Sequence, residues 1–184
     1  MRKFFLIFFL ILISNSLAQN KFLLIEVNNE ITFATREIIR SAIKFAEENN
    51  YKGLIITLDT PGGNLDATLE IIKFIDRAKI PVISFVYPKG ATAWSAGTFI
   101  LLSSHIAVMS NNSLIGSAQP IQITPEGIEE VNKSKIIDAI VSFLEERMKI
   151  YNRNYTLAKE FVLRNLNLNN EEALRLNAID YIAN

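Results

Sequence analysis

Between residues 21 and 116, four short apolar runs alternate with amphipathic segments, and that alternation restricts the fold more than any other feature. Lys21 to Val27 carries Phe22, Leu23, Leu24, Ile25 and Val27. Leu54 to Leu58, Val82 to Val86 (opened by Pro81) and Ile106 to Met109 are the other three runs. Short apolar runs bounded by turn residues are the pattern of strands buried in a parallel sheet. The segments between them have a helical period. Thr32 to Glu48 repeats Ile38, Ile39, Ala42, Ile43 and Phe45, and Leu65 to Arg77 repeats Leu65, Leu69, Ile72 and Ile75. Ser95 to Ser103 predicts a short buried helix. Strand alternating with helix predicts an α/β fold, a mostly parallel sheet with packed helices.

The rest of the chain is less regular. Ser113 to Gly116 reads as a short extended piece. Ile121 to Gly127 is polar, holds Pro125 and Gly127, and reads as a mobile loop. From Glu129 the pattern is helical, with helices over Lys135 to Ile150, Thr156 to Arg164 and Asn170 to Leu176. Ile179 to Ile182 is a candidate last strand. The 184 residues suit one domain with a real core, without repeats or low-complexity tracts.

Arg2 and Lys3 precede ten unbroken apolar residues, Phe4 to Ile13. Ser14-Asn15-Ser16-Leu17-Ala18 follows, with Ser16 and Ala18 placed like the small residues of a cleavage site. That is the layout of a signal peptide over residues 1–18, followed by a domain over 19–184. An uncleaved anchor is the alternative, although a full membrane span needs about 20 apolar residues. Either way the domain is expected outside the cytoplasm. Asn111, Asn132 and Asn154 sit in glycosylation sequons, which agrees with that location.

Composition narrows the chemistry. There is no cysteine and one histidine, which excludes thiolate catalysis, disulfides and sites built of several histidines. The 19 basic and 19 acidic residues balance, so no electrostatic footprint for nucleic acid is present. Hydroxyl, carboxylate and lysine chemistry remain, none of which requires a cofactor or metal.

Ser95 lies in Gly90-Ala91-Thr92-Ala93-Trp94-Ser95-Ala96-Gly97-Thr98, straight after a strand. Its small neighbours allow a sharp turn and close approach of a substrate backbone. At a strand-to-helix turn the hydroxyl stands at the carboxyl edge of the sheet, where ligands bind in open α/β folds. A helix-capping role is the plainer alternative. Asp59-Thr60-Pro61-Gly62-Gly63-Asn64 is a second turn, whose Gly62 and Gly63 could aim N–H groups at an oxyanion; a tight turn alone would also explain them.

A serine nucleophile needs a base. His105 is ten residues further on, past a helix about 15 Å long, so it reads as structural. Lysine is the other candidate, as Lys133, Lys135, Lys149 or Lys159, with Lys89 in an exposed turn. Lys135 opens a helix ahead of Ile136 and Ile137 and can point inward, where desolvation and the helix dipole disfavour its charged form. Ser41-Ala42-Ile43-Lys44 matches a penicillin-recognising motif, but lies on a plain amphipathic helix without the partner motifs.

An ordered set of motifs resembles the ClpP-class membrane-associated serine proteases of the NfeD type, the stomatin-operon partner proteins. The matching stretches are Leu58-Asp59-Thr60-Pro61-Gly62-Gly63, Lys79-Ile80-Pro81-Val82, Val86-Tyr87-Pro88, Gly90-Ala91 with Ser95-Ala96-Gly97-Thr98, and Ile115-Gly116-Ser117-Ala118. Asn152-Arg153-Asn154 and Glu171-Glu172-Ala173-Leu174 extend the match to the C-terminus. The resemblance implies a ClpP/crotonase-like fold and a Ser–Lys dyad of Ser95 and Lys135. It implies an oxyanion hole from the N–H of Gly63, with Gly62, and of Ala96.

Similar proteases cleave hydrophobic segments, including part of stomatin, and form dimers or rings. The expected partners are therefore a hydrophobic, membrane-associated protein substrate and further copies of this chain. The expected groove runs beside strand Val82 to Val86 and includes Val86, Tyr87 and Ser117, taking substrate by strand addition, with Gln119 to Glu130 as a lid. Trp94 departs from the family, where a small residue is usual. A crotonase-type thioester enzyme and a non-catalytic stomatin-binding scaffold are the rival readings.

Overall fold

The computed structural model describes residues 21–124, 127–130 and 134–184. The first half contains β1 (Phe22–Val27), α1 (Phe33–Glu48), β2 (Gly53–Leu58), α2 (Leu65–Arg77), β3 (Val82–Val86), β4 (Thr92–Trp94), α3 (Ala96–Leu102), β5 (Ile106–Ser110) and β6 (Leu114–Gly116). The second half contains β7 (Ile121–Thr124), β8 (Gly127–Glu130), α4 (Ser134–Ile150), α5 (Leu157–Leu163), β9 (Asn167–Asn169), α6 (Asn170–Arg175) and β10 (Tyr181–Ala183).

Five strands form one parallel sheet in the order β1-β2-β3-β5-β10. The order advances in one direction, and parallel crossovers are right-handed. Successive helices must therefore land on the same face. The core forms there: Ile39 and Ile43 of α1, Ile71 and Ile75 of α2, and Phe99 to Leu102 of α3 meet Leu54, Ile56, Leu58, Val82 and Val86. Local chemistry sets the helix starts. Thr32 caps α1 through a reciprocal bond with Thr35, and the Asn64 side chain accepts from the Ala67 N–H at 2.8 Å.

A second sheet, β4-β6-β9, sits beyond the carboxyl ends of the first. β4 follows β3 and β6 follows β5, so both are delivered to the same edge. β4 pairs parallel with β6, and β6 antiparallel with β9. A bridge between Thr60 and Ala93 ties this sheet to the turn after β2.

At the opposite edge Arg153, 3% exposed, donates to the carbonyls of Leu102 and Ser104 at 2.8 and 2.9 Å. It also pairs with Asp180 at 2.5 Å. These bonds satisfy carbonyls at and just beyond the C-terminus of α3.

The α/β architecture and strands β1, β2, β3 and β5 agree with the sequence pattern. Four expectations are corrected. The loop expected over Ile121 to Gly127 gives way to strand structure, because Ile121–Thr124 and Gly127–Glu130 pair antiparallel. The helix expected over Lys135 to Ile150 spans Ser134–Ile150, while Glu129, where the helical pattern was expected to set in, belongs to β8. Substrate cannot add to β3, because both its edges are already paired, to β2 and to β5. Val86 is fully buried in the core and does not line a groove. The signal-like residues 1–18 lie outside the described residues, among which no helix is long and apolar enough to cross a membrane.

Candidate active site

The turn after β2 is built around Thr60, 1% exposed. Its N–H donates to the Thr92 carbonyl at 2.7 Å, and its carbonyl accepts from Trp94 at 3.0 Å. The Asp59 carboxylate accepts from the Thr92 N–H at 3.0 Å. The Thr60 hydroxyl donates to the Asn29 carbonyl at 2.7 Å and accepts the Gly62 N–H at 3.2 Å. Beyond Pro61 the chain must pass between Ile31 and Ser95. Gly62 and Gly63 have φ of +107° and +153°. A β-carbon on Gly63 would meet the Ile31 carbonyl oxygen at 2.2 Å, so no other residue fits.

Ser95 is the single residue between β4 and α3. Its φ of +49° and ψ of −111° are sparsely populated for any residue with a β-carbon, a cost of about 1–3 kcal/mol. Structure on both sides enforces that conformation. The Ser95 N–H donates to the Gly116 carbonyl at 2.9 Å, holding the turn to β6. Gly97, the second residue of α3, lets the helix press on Thr60: a β-carbon there would lie 2.6 Å from the Thr60 methyl. The Ser95 side chain does not cap the helix and is only partly buried. Capping therefore fails as an explanation, and the strained strand-to-helix turn presents a hydroxyl at the sheet's carboxyl edge.

The two turns meet. A β-carbon on Gly62 would lie 2.7 Å from the Ser95 β-carbon and 3.3 Å from the Ala96 nitrogen. The Gly62 N–H is taken by Thr60, so Gly62 supplies close approach rather than a donor. The exposed Gly63 is different. Around it the Gly62 carbonyl and Asn64 N–H bond to Ile31, so Gly63's own N–H faces away from that bridge. Ala96 is the first residue of α3, where an N–H has no intrahelical acceptor.

The remaining expected residues divide. In register β4 Trp94 pairs with β6 Gly116, which brings Ser117 alongside Ser95. Ser117 has φ +48°, and its hydroxyl donates to Asn167 Oδ1 at 2.9 Å. Tyr87 is exposed and stacks obliquely on Phe85, on the sheet face turned away from the helices. Lys135 is an exposed residue in the first turn of α4, rather than an inward-pointing one. Lys149 pairs with Glu146 at 2.6 Å, which raises its pKa and keeps it charged. Lys159 lies 3.9 Å from Glu145, Lys89 is exposed, and Lys133 falls outside the described residues.

His105 accepts the Val82 N–H on Nδ1 at 3.1 Å, at the amino-terminal edge of the sheet. That is the end opposite Ser95. Burial lowers its pKa, Asp76 opposes the shift and Arg153 adds to it. It is a structural acceptor, as its position in the sequence indicated.

Thr98 escaped the sequence reading. Its buried hydroxyl donates to the Ala93 carbonyl at 2.7 Å and accepts the Gly116 N–H at 2.8 Å. It thus fastens β4 to β6 on either side of the nucleophile candidate. No local signal marks it, because Gly116 is 18 residues away.

A one-sided parallel sheet roofed by a small sheet that carries a strained serine is a ClpP-like arrangement. The ClpP catalytic domain of Plasmodium falciparum matches with a TM-score of 0.69 at 19% identity, over 88% of this chain and 84% of that one. Within that class the chain belongs to the family of the NfeD1b N-terminal domain, whose model matches residues 21–181. The membrane-bound protease PH1510 of Pyrococcus horikoshii is 37% identical over 179 residues, 97% of this chain and 41% of that relative. The chain thus spans about two fifths of that relative's length.

Two solved structures of 1510-N, a membrane-bound stomatin-specific protease, are close in fold. One is a serine-to-alanine variant, with TM-score 0.85 and 37% identity over 90% of this chain and 81% of that one. The other is a lysine-to-alanine variant in complex with a substrate peptide, with TM-score 0.86 and 38% identity over 90% and 76%.

Proposed function

We propose that this chain is a serine endopeptidase with Ser95 as nucleophile and Lys135 as general base. The observation that carries the reading is Ser95 itself, held at positive φ with its hydroxyl free of any capping role and its β-carbon against Gly62. A neutral Lys135 amine takes the Ser95 proton as the hydroxyl attacks a peptide carbonyl. The N–H groups of Gly63 and Ala96 hold the oxyanion, each such donor being worth about 2.7–4 kcal/mol. The lysine proton passes to the leaving amine, and water then hydrolyses the acyl-enzyme. Lys135 is exposed in the first turn of α4, so a bound peptide has to cover it for the dyad to work away from water.

The substrate is a hydrophobic segment of a membrane protein, in keeping with the stomatin specificity of 1510-N. Its strand lies near Gly63 and Ser117, because β3 offers no free edge. The pair β7–β8 lies just ahead of α4 and serves as the cover over the site. The domain works outside the cytoplasm, as a homodimer or larger homo-oligomer.

Ser95→Ala and Lys135→Ala variants test the dyad against cleavage of a stomatin-derived hydrophobic peptide. Loss of cleavage in both, with covalent labelling of Ser95 by a fluorophosphonate in the parent chain, is the expected result. Full cleavage by either variant overturns the dyad. Thioester turnover without peptide cleavage favours the crotonase-type rival, and absence of labelling favours a scaffold.

A further inference from the structure

Beside Ser95, the chain from Gly116 to Gln119 is tied to α5 and the turn that follows it. A β-carbon on Gly116 would lie 2.1 Å from the Leu166 carbonyl oxygen, so the two backbones are in contact. The Ser117 N–H donates to that carbonyl at 3.2 Å, and the Ser117 hydroxyl donates to Asn167 Oδ1 at 2.9 Å. The Ala118 N–H donates to the Phe161 carbonyl at 3.3 Å. The Gln119 N–H donates to Asn165 Oδ1 at 3.1 Å, and Asn165 Nδ2 donates to Gln119 Oε1 at 2.6 Å. Asn165 thus holds Gln119 through both ends of its amide.

Two plainer explanations fall short. Asn165 follows the C-cap of α5 with φ +49°, a left-handed stop that asparagine and glycine both serve. Such a stop uses the backbone alone and leaves unexplained why the amide reaches Gln119, 46 residues away in sequence. Stability falls short as well. Both bonds lie at the surface, where water offers the same groups equivalent partners.

The place of the pair in the chain gives it a use. The Ser95 N–H is bonded to the Gly116 carbonyl, just before Gln119. β7 opens at Ile121, just after it, and Ile121 is 59% exposed. Gln119 therefore stands between the nucleophile turn and the pair β7–β8.

We propose that Asn165 is a positioning residue of the protease: its amide fixes Gln119 and so sets the rim of the site from which β7–β8 extends over the substrate. The assignment rests on the endopeptidase reading and on a substrate lying near Ser117. Asn165 touches no reacting atom. Ser95 is held independently, through the Gly116 carbonyl and the Thr98 hydroxyl that joins β4 to β6. Loss of the Asn165 amide therefore leaves the chemistry of a bound peptide intact. A rim that is not fixed beforehand has to be ordered when the peptide binds, and that cost falls on KM.

Asn165→Gly tests this without adding strain, because glycine accepts φ +49° and removes only the amide. With a stomatin-derived hydrophobic peptide, KM is expected to rise about tenfold while kcat holds. Fluorophosphonate labelling of Ser95 and the urea midpoint are expected to stay at the parent's values. Asn165→Asp keeps an acceptor for the Gln119 N–H, and the Gln119 amide can turn to donate to its second oxygen. It is expected to restore KM. Gln119→Met removes the other half of the pair, and the double variant is expected to be no worse than Asn165→Gly alone. An unchanged KM in Asn165→Gly overturns the assignment, as does an Asn165→Asp variant as poor as the glycine one. Full addition of the two single effects in the double variant overturns the pairing. A fall in kcat, labelling and urea midpoint together marks a merely structural role and overturns it too. A parent chain that neither cleaves the peptide nor labels at Ser95 overturns the endopeptidase reading itself, and the role of Asn165 with it.

Discussion

Gly62 lies so close to Ser95 that a β-carbon at position 62 would sit 2.7 Å from the serine's own. Two turns far apart in sequence are therefore in direct contact at the serine. The glycine makes room for the Ser95 backbone, while its N–H is spent on Thr60. Gly62→Ala must push the two turns apart or change the backbone at φ +107°. It is expected to lower stability by about 1–3 kcal/mol and to abolish peptide cleavage. Chemical denaturation and fluorophosphonate labelling of Ser95 measure the two effects.

Thr98 is expected to act on the site without touching substrate. Its hydroxyl joins the Ala93 carbonyl to the Gly116 N–H, and Gly116 in turn accepts from Ser95. Thr98→Val keeps the volume but leaves both buried backbone groups unpaired, at about 1–3 kcal/mol. Cleavage is expected to lose kcat more than KM, since Ser95 is displaced rather than the substrate cleft. Thr98→Ser retains the hydroxyl and should recover most of the rate.

Asp180 neutralises a guanidinium whose side chain is fully buried. Burial lowers the pKa of Arg153, and Asp180 opposes that shift. Asp180→Ala leaves the buried charge unpaired and frees the Ala107 N–H as well. The expected loss is about 3–5 kcal/mol in urea unfolding, with site geometry unchanged in whatever fraction stays folded.

His105 is expected to affect acid stability and not catalysis. Its folded pKa lies below the unfolded value because burial disfavours the imidazolium. Between the two values the unfolded chain binds more protons, so stability rises with pH through that window. The contribution is complete above about pH 6.5 and is lost as pH falls through the folded pKa. His105→Asn retains an acceptor for the Val82 N–H but does not titrate. It should flatten the fall of melting temperature below pH 6.5 and keep full cleavage activity at neutral pH.

The helix and strand pattern was legible because it is local. The four apolar runs and the stripes of α1 and α2 each carry their own periodicity, and right-handed crossovers then leave one way to assemble them. The elements that escaped are β4 and β9, of three residues each. Strands that short have no period to read, and they exist only through pairing with β6. Ile121 to Gly127 differs for the opposite reason: proline and glycine mark a loop composition, while pairing of Ile121 with Glu130 makes strands. Val86 was placed at a groove because it ends an apolar strand, but a central strand has both edges occupied.

Ser95 among small residues, the glycine pair and the lack of cysteine and of a second histidine were determined by the sequence alone. Each of these is a matter of residue type and spacing. The tertiary structure decided which glycine offers an N–H, why Ser95 holds a positive φ, and that Thr98 fastens the turn. The bridge of Gly63 to Ile31, the bond of Ser95 to Gly116 and the bond of Gly116 to Thr98 join segments 18 or more residues apart, which no local pattern encodes. The tertiary structure also decided that α1, α2 and α3 pack on one and the same face of the main sheet. That follows from strand order, which exists only once the strands have paired.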